Sequence, residues 1–166
     1  MTGILLIGVV VAWLMTAIVM GAKIADKLNP PWLRTPAALL LMAILIPLPV
    51  ADEIIGGWQF KALCDKYAVQ YIDEKNAQDR KVMLLGRGKD WYEKNTILKI
   101  HIQPYIFQDT ETGKVVVSYH SLEAEGGWLI RSLGISETKS PLLFNRGCAP
   151  LNEDEFKKKF NITVIN

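Results

Sequence analysis

The side chains in this 166-residue chain best suited to chemistry are two histidines, two cysteines and a few acids. His101 and His120 fall in two β-type runs, "TILKIHIQPYIF" and "KVVVSYHSL", joined by "QDTETG". Gly113 can take the left-handed position that such a hairpin loop needs. Pairing Asp109 with Lys114 puts Ile100, Ile102 and Ile106 on one face with Val115, Val117 and Tyr119. The other face then carries Lys99, His101, Gln103, Ser118 and His120, with Gln103 opposite His120 and His101 diagonal to it. Two neighbouring imidazoles could hold a metal or sense protons, so the face is a candidate ligand or metal sensor. A solvated polar sheet face explains the same residues without any ligand.

Other catalytic arrangements fit less well. Ser118, His120 and Glu123 can be drawn as a Ser-His-acid triad, but no nucleophile elbow surrounds the serine. "GRGKDW", residues 86–91, lacks the GxxxxGK[ST] spacing of a phosphate loop, and no apolar helix follows it. The pattern therefore predicts a protein that is not an enzyme and carries no cofactor.

Cys64 and Cys148 are the only cysteines. An even pair in an oxidising compartment reads as one disulfide, and two unrelated buried thiols are the alternative. Closing a loop of this length would stabilise the fold by roughly 4 kcal/mol in the chain-entropy account. Neither cysteine has CxxC spacing, so no zinc centre is expected. Around Cys148, the stretch "GGWLIRSLGISETKSPLLFNRGCAP" offers Trp128, Arg131 and Phe144, residue types enriched where proteins bind one another. The same types are ordinary core residues in a domain this small.

These residues must be positioned by two very different regions. Residues 1–51 carry only Lys23, Asp26, Lys27 and Arg34 as charged side chains. Subtracting them from the 19 basic and 17 acidic residues leaves 16 of each in 52–166. That balance offers no basic face for nucleic acid. The segment from Ile4 to Ala22 has no charge, and its 19 residues reach about 28 Å as a helix, close to a hydrocarbon core of about 30 Å. A second apolar run covers Pro36–Ala51. The connection 23–35 holds three basic residues and the turn-forming Asn29-Pro30-Pro31, while the flanks show no basic excess. The expectation is a transmembrane hairpin over 1–51, with spans of about 4–22 and 36–51 in the lipid bilayer. Its turn at 23–35 would be cytoplasmic, and the N-terminus and the domain 52–166 would lie outside the cytosol. Pro47, Pro49, Asp52 and Glu53 then mark the exit into water, and Gly56-Gly57 a flexible joint.

For 52–166 the pattern predicts an α+β domain. Phe60, Leu63, Cys64 and Tyr67 form one apolar stripe of a helix packed on an antiparallel sheet of about four strands. Strands are expected at "KVMLLG", along the hairpin and at "GGWLIRSLGI". A last helix in "LNEDEFKKKF" would be capped by Asn152, with acids first, lysines last, and i, i+4 pairs such as Glu153–Lys157.

The string "LPVADEIIGGWQFKALC" from Leu48 to Cys64, with "GGWLIRSLG" and "CAP" later, resembles a family of small uncharacterised two-span membrane proteins of Gram-negative bacteria and their prophages. The likeness covers most of residues 45–150. It implies a bacterial inner membrane and a periplasmic domain, and carries no catalytic residue with it. Together these readings predict a non-enzymatic interaction module with a protein partner or a second copy. It would serve an envelope assembly or act as a membrane-associated phage or host factor. A prophage exclusion or defence protein is the alternative.

Overall fold

The computed structural model describes residues 2–28, 30–134, 139–150 and 153–165, with side chains except at 2–6, 86, 87 and 153–156. Asn29 and Asn152 lie outside the described residues, as do the acid side chains of the expected ion pairs in the last helix.

Helix α1 (Thr2–Asp26) is uninterrupted, and α2 (Arg34–Leu45) follows a single 3-10 turn at Pro31–Leu33. The two lie side by side and antiparallel: Gly21 meets Ala38 and Met42, and Trp13 meets Leu45. Close approach comes from a stripe of small residues. Ala17 and Ala25 are buried, and a Cβ on Gly21 between them would sit 3.1 Å from Met42 Cγ. Helix α2 stops where the prolines begin. The carbonyl of Leu45 would ordinarily accept the N–H of residue 49, which is proline and has none. The Trp13 indole N–H donates to that carbonyl at 3.1 Å, so α1 supplies the bond that α2 lacks.

After a 3-10 turn at Leu48–Val50 the chain enters α3 (Ala51–Tyr67) directly. Gly56 and Gly57 are therefore not a flexible joint but part of a helix. They are there for packing: a Cβ on Gly56 would fall 2.3 Å from Leu98 Cγ, and one on Gly57 3.0 Å from Phe144 Cδ1. The expected stripe holds, since Phe60, Leu63, Cys64, Tyr67 and Ala68 all pack against the sheet.

The sheet is larger than expected and mixed. Its strands are β1 (Tyr71–Ile72), β2 (Lys81–Arg87), β3 (Trp91–Tyr92), β4 (Ile100–Asp109), β5 (Val115–Ala124), β6 (Gly147–Cys148) and β7 (Thr163–Ile165). The order is β1-β5-β4-β2-β7, with β3 also on β4 and β6 also on β5. All pairs are antiparallel except β2 with β7, which is parallel. The short strands β1, β3, β6 and β7 are too brief for alternation to show in the sequence. The segment "GGWLIRSLGI" is not a strand: it forms α4 (Trp128–Leu133), ended by Gly134 at φ 60°. Helix α5 (Glu153–Phe160) matches expectation and delivers Phe160 and Ile162 to the core.

The β4–β5 hairpin starts in the expected register. Asp109 N–H donates to Lys114 O at 2.9 Å, and Gly113 has φ 69°. A bulge at Val116 then shifts the pairing by one, so Phe107 faces Val117 and Pro104 faces His120. Because side chains alternate with period two, that single extra residue changes which residues share a face. Two cores result. Near the turn, Phe107, Val117 and Tyr119 pack with Val82, Ala77, Phe160 and Ile162. Towards the other end, Ile100, Ile102, Leu122 and Ala124 point the opposite way and pack on α3.

Candidate functional site

The bulge separates the two histidines. His101 shares a face with Tyr105 and Phe107, whereas His120 lies on the other, with Ile102 and Leu122. His120 meets the edges of Tyr67 and Trp91 at centroid distances of 6.1 and 5.6 Å. His101 stacks on Tyr92, and its Nε2 lies 3.4 Å from Asp90 Oδ2. The Gln103 amide nitrogen is 3.1 Å from His101 Nδ1. Glu123 points to His101's side of the sheet, away from Ser118 and His120, and binds Arg146 at 2.9 Å. The triad drawn from sequence is therefore dispersed. Among the described residues no group of three or more His, Cys, Asp or Glu side chains converges as a metal site.

The most constructed polar site involves acids that the sequence had placed in water. Glu53 is only 2% exposed. Its Oε1 accepts the Gly127 N–H at 2.9 Å, and its Oε2 accepts those of Leu142 and Leu143 at 2.8 and 3.2 Å. Asp52 accepts the Trp128 N–H at 2.6 Å. Gly127 is the N-cap of α4 and has no side chain to offer, so the cap comes from α3 instead. Its glycine is required by that approach, since a Cβ would lie 2.6 Å from Asp52 Oδ2. The adjacent acids thus clamp α4 and the 139–145 turn onto the start of α3. Nothing local signals this, because the donors lie more than seventy residues away.

Cys64 and Cys148 form a disulfide with Cα atoms 6.2 Å apart, joining α3 to β6. The three expected partner residues differ in exposure. Phe144 is partly covered, packing on Phe60 with ring centroids 5.5 Å apart and against Gly57. Trp128 and Arg131 are exposed on α4. A different apolar surface lies on the sheet. Helix α3 covers only one end of its face, and beyond it Tyr71, Met83, Leu85 and Ile165 are exposed around the half-buried Ile106. The register puts Met83 beside Ile165 and Tyr71 beside Ser118, which is opposite Ile106. Such a cluster was not legible beforehand, since β1 and β7 contribute two of its members.

Two acidic turns position the far end of the sheet. The Asp109 carboxyl is held below the usual range by the Glu111 backbone N–H, aided by Thr112 and by the Arg80 guanidinium 3.5 Å away. The Asn76 side-chain amide at 2.8 Å similarly lowers Asp73, which sits in the turn after β1.

Both Ile7–Asp26 and the helical run Pro31–Tyr67 are long and apolar enough to cross a membrane, with mean hydropathy 2.1. Only 11% and 6% of those windows are buried, unlike the core helix of a soluble protein. No family model, curated protein or solved structure matches this chain.

Proposed function

We propose that this protein is a membrane-anchored interaction module and not an enzyme. Helices α1 and α2 form a transmembrane hairpin, and the second pass is completed by the proline turn and the start of α3. The basic residues Lys23, Lys27 and Arg34 favour a cytoplasmic connection. On that orientation the sheet domain would lie outside the cytosol, in the periplasm of a bacterial inner membrane, a compartment in which a Cys64–Cys148 bond is stable.

The observation that carries the interaction reading is the open sheet face of Tyr71, Met83, Leu85, Ile106 and Ile165. A contiguous apolar patch on an otherwise normally charged domain marks a surface that a partner covers. The partner is a protein of the envelope or a second copy of this chain. Photo-crosslinking from positions 83 and 165 in native membranes, with the products identified by mass spectrometry, tests it. Crosslinks to one protein are expected; a chain that remains monomeric and uncrosslinked refutes it.

A further inference from the structure

A second apolar surface lies where α4 meets the anchor. A cavity of about 300 Å³ separates Val9, Val10, Trp13 and Leu14 of α1 from Trp128 and Leu129 of α4. Its depth follows from the anchoring reading, on which this inference rests. The charged connection begins at Lys23. Trp13 and Val9 lie ten and fourteen residues from it, or roughly 15 and 21 Å along a helix. A hydrocarbon core is about 30 Å thick, so whatever sits beside Val9–Leu14 lies between the bilayer midplane and its outer edge. Trp128 is 48% exposed there, and Leu133, Leu142 and Leu143 are exposed as well.

The acid clamp is an independent observation that fits the same depth. Irregular backbone near hydrocarbon is costly unless its N–H groups are satisfied. Glu53 takes those of Gly127, Leu142 and Leu143, and Asp52 takes that of Trp128. The two acids therefore hold α4 and the 142–143 turn together with these donors bonded; Trp128, Leu133, Leu142 and Leu143 face outward, with Arg131 and Ser132 exposed beside them on α4.

We infer that α4 and the Leu142–Leu143 turn are a membrane-embedded wedge, with phospholipid acyl chains filling the cleft between α4 and α1. Trp128 is then a lipid contact. The domain does not hang from a tether; it is seated in the outer leaflet, which fixes the direction in which the sheet face is presented.

The test uses the full chain reconstituted in vesicles of phosphatidylethanolamine and phosphatidylglycerol, with bromine near the glycerol end of the acyl chains. The difference in emission between the wild type and Trp128→Phe isolates Trp128, and Trp32→Phe does the same for Trp32 in the charged connection. Loss of most Trp128 emission in brominated vesicles, with little loss to aqueous iodide, is expected. Quenching of Trp32 by bromine but of Trp128 only by iodide overturns the wedge and leaves the anchor standing. Quenching of neither by bromine overturns the anchor itself. A photo-reactive residue at position 142 gives a second readout: it crosslinks to phospholipid if the wedge is right, and only to protein or water if it is wrong.

Discussion

Replacing Glu53 by glutamine alters the clamp with almost no change in volume. The carboxylate accepts three backbone N–H groups, one on Oε1 and two on Oε2. An amide keeps one oxygen, best turned to Leu142 and Leu143, and then aims its own NH2 at the Gly127 N–H. One charge-assisted bond, worth about 1.5–3 kcal/mol, is lost, and two others fall to neutral strength near 1 kcal/mol. A buried, unpaired Gly127 N–H adds to the cost. We expect at least about 3 kcal/mol, or roughly a hundredfold more opening of this segment. Hydrogen exchange reads it residue by residue. The amides of Gly127, Leu142 and Leu143 should lose about two orders of magnitude of protection, while the hairpin amides around Phe107 and Val117 keep theirs. Asp52→Asn, whose side chain reaches α4 only through the exposed Trp128 N–H and otherwise accepts its neighbour's Glu53 N–H, should cost about 1 kcal/mol. Unchanged protection at the three amides in Glu53→Gln would refute the clamp.

Other outcomes follow from the same geometry. Gly56→Ala should destabilise the domain by about 1–3 kcal/mol in chemical denaturation, because its Cβ collides with the buried Leu98. Combined with Leu98→Ala it should cost less than the sum of the two single changes, and strict additivity would contradict the contact. Cys64→Ala with Cys148→Ala opens an 84-residue loop and should lower stability by about 4 kcal/mol, with no further loss on adding reductant. The Asp109 carboxyl is depressed in the folded protein, so its contribution is present above the unfolded value near 4 and is lost as pH falls through the lower folded value. The turn at 109–113 should therefore loosen only below about pH 4, and Asp109→Asn should abolish that step. A transition near neutrality would show that another group controls the turn.

The sequence alone determined the features that depend on local pattern. Uncharged length set α1, basic bias suggested an orientation, and period 3.6 picked out the α3 stripe that packs as expected. The "QDTETG" loop and the last helix were equally local, and an even cysteine pair was enough to suggest the bond that forms. What failed were inferences from a residue type to its surroundings. Acids after a membrane segment read as an exit into water, but Glu53 is sealed by donors from two remote turns. Paired glycines read as a hinge, but Leu98 and Phe144 occupy the space where side chains would be. Trp128 sits in an apolar run that reads as a strand until an acid from another helix caps it as α4. The histidine face was lost to one residue, Val116, whose bulge exchanges the two sides of the hairpin. Burial and register depend on partners brought from far along the chain, so tertiary structure alone decided them.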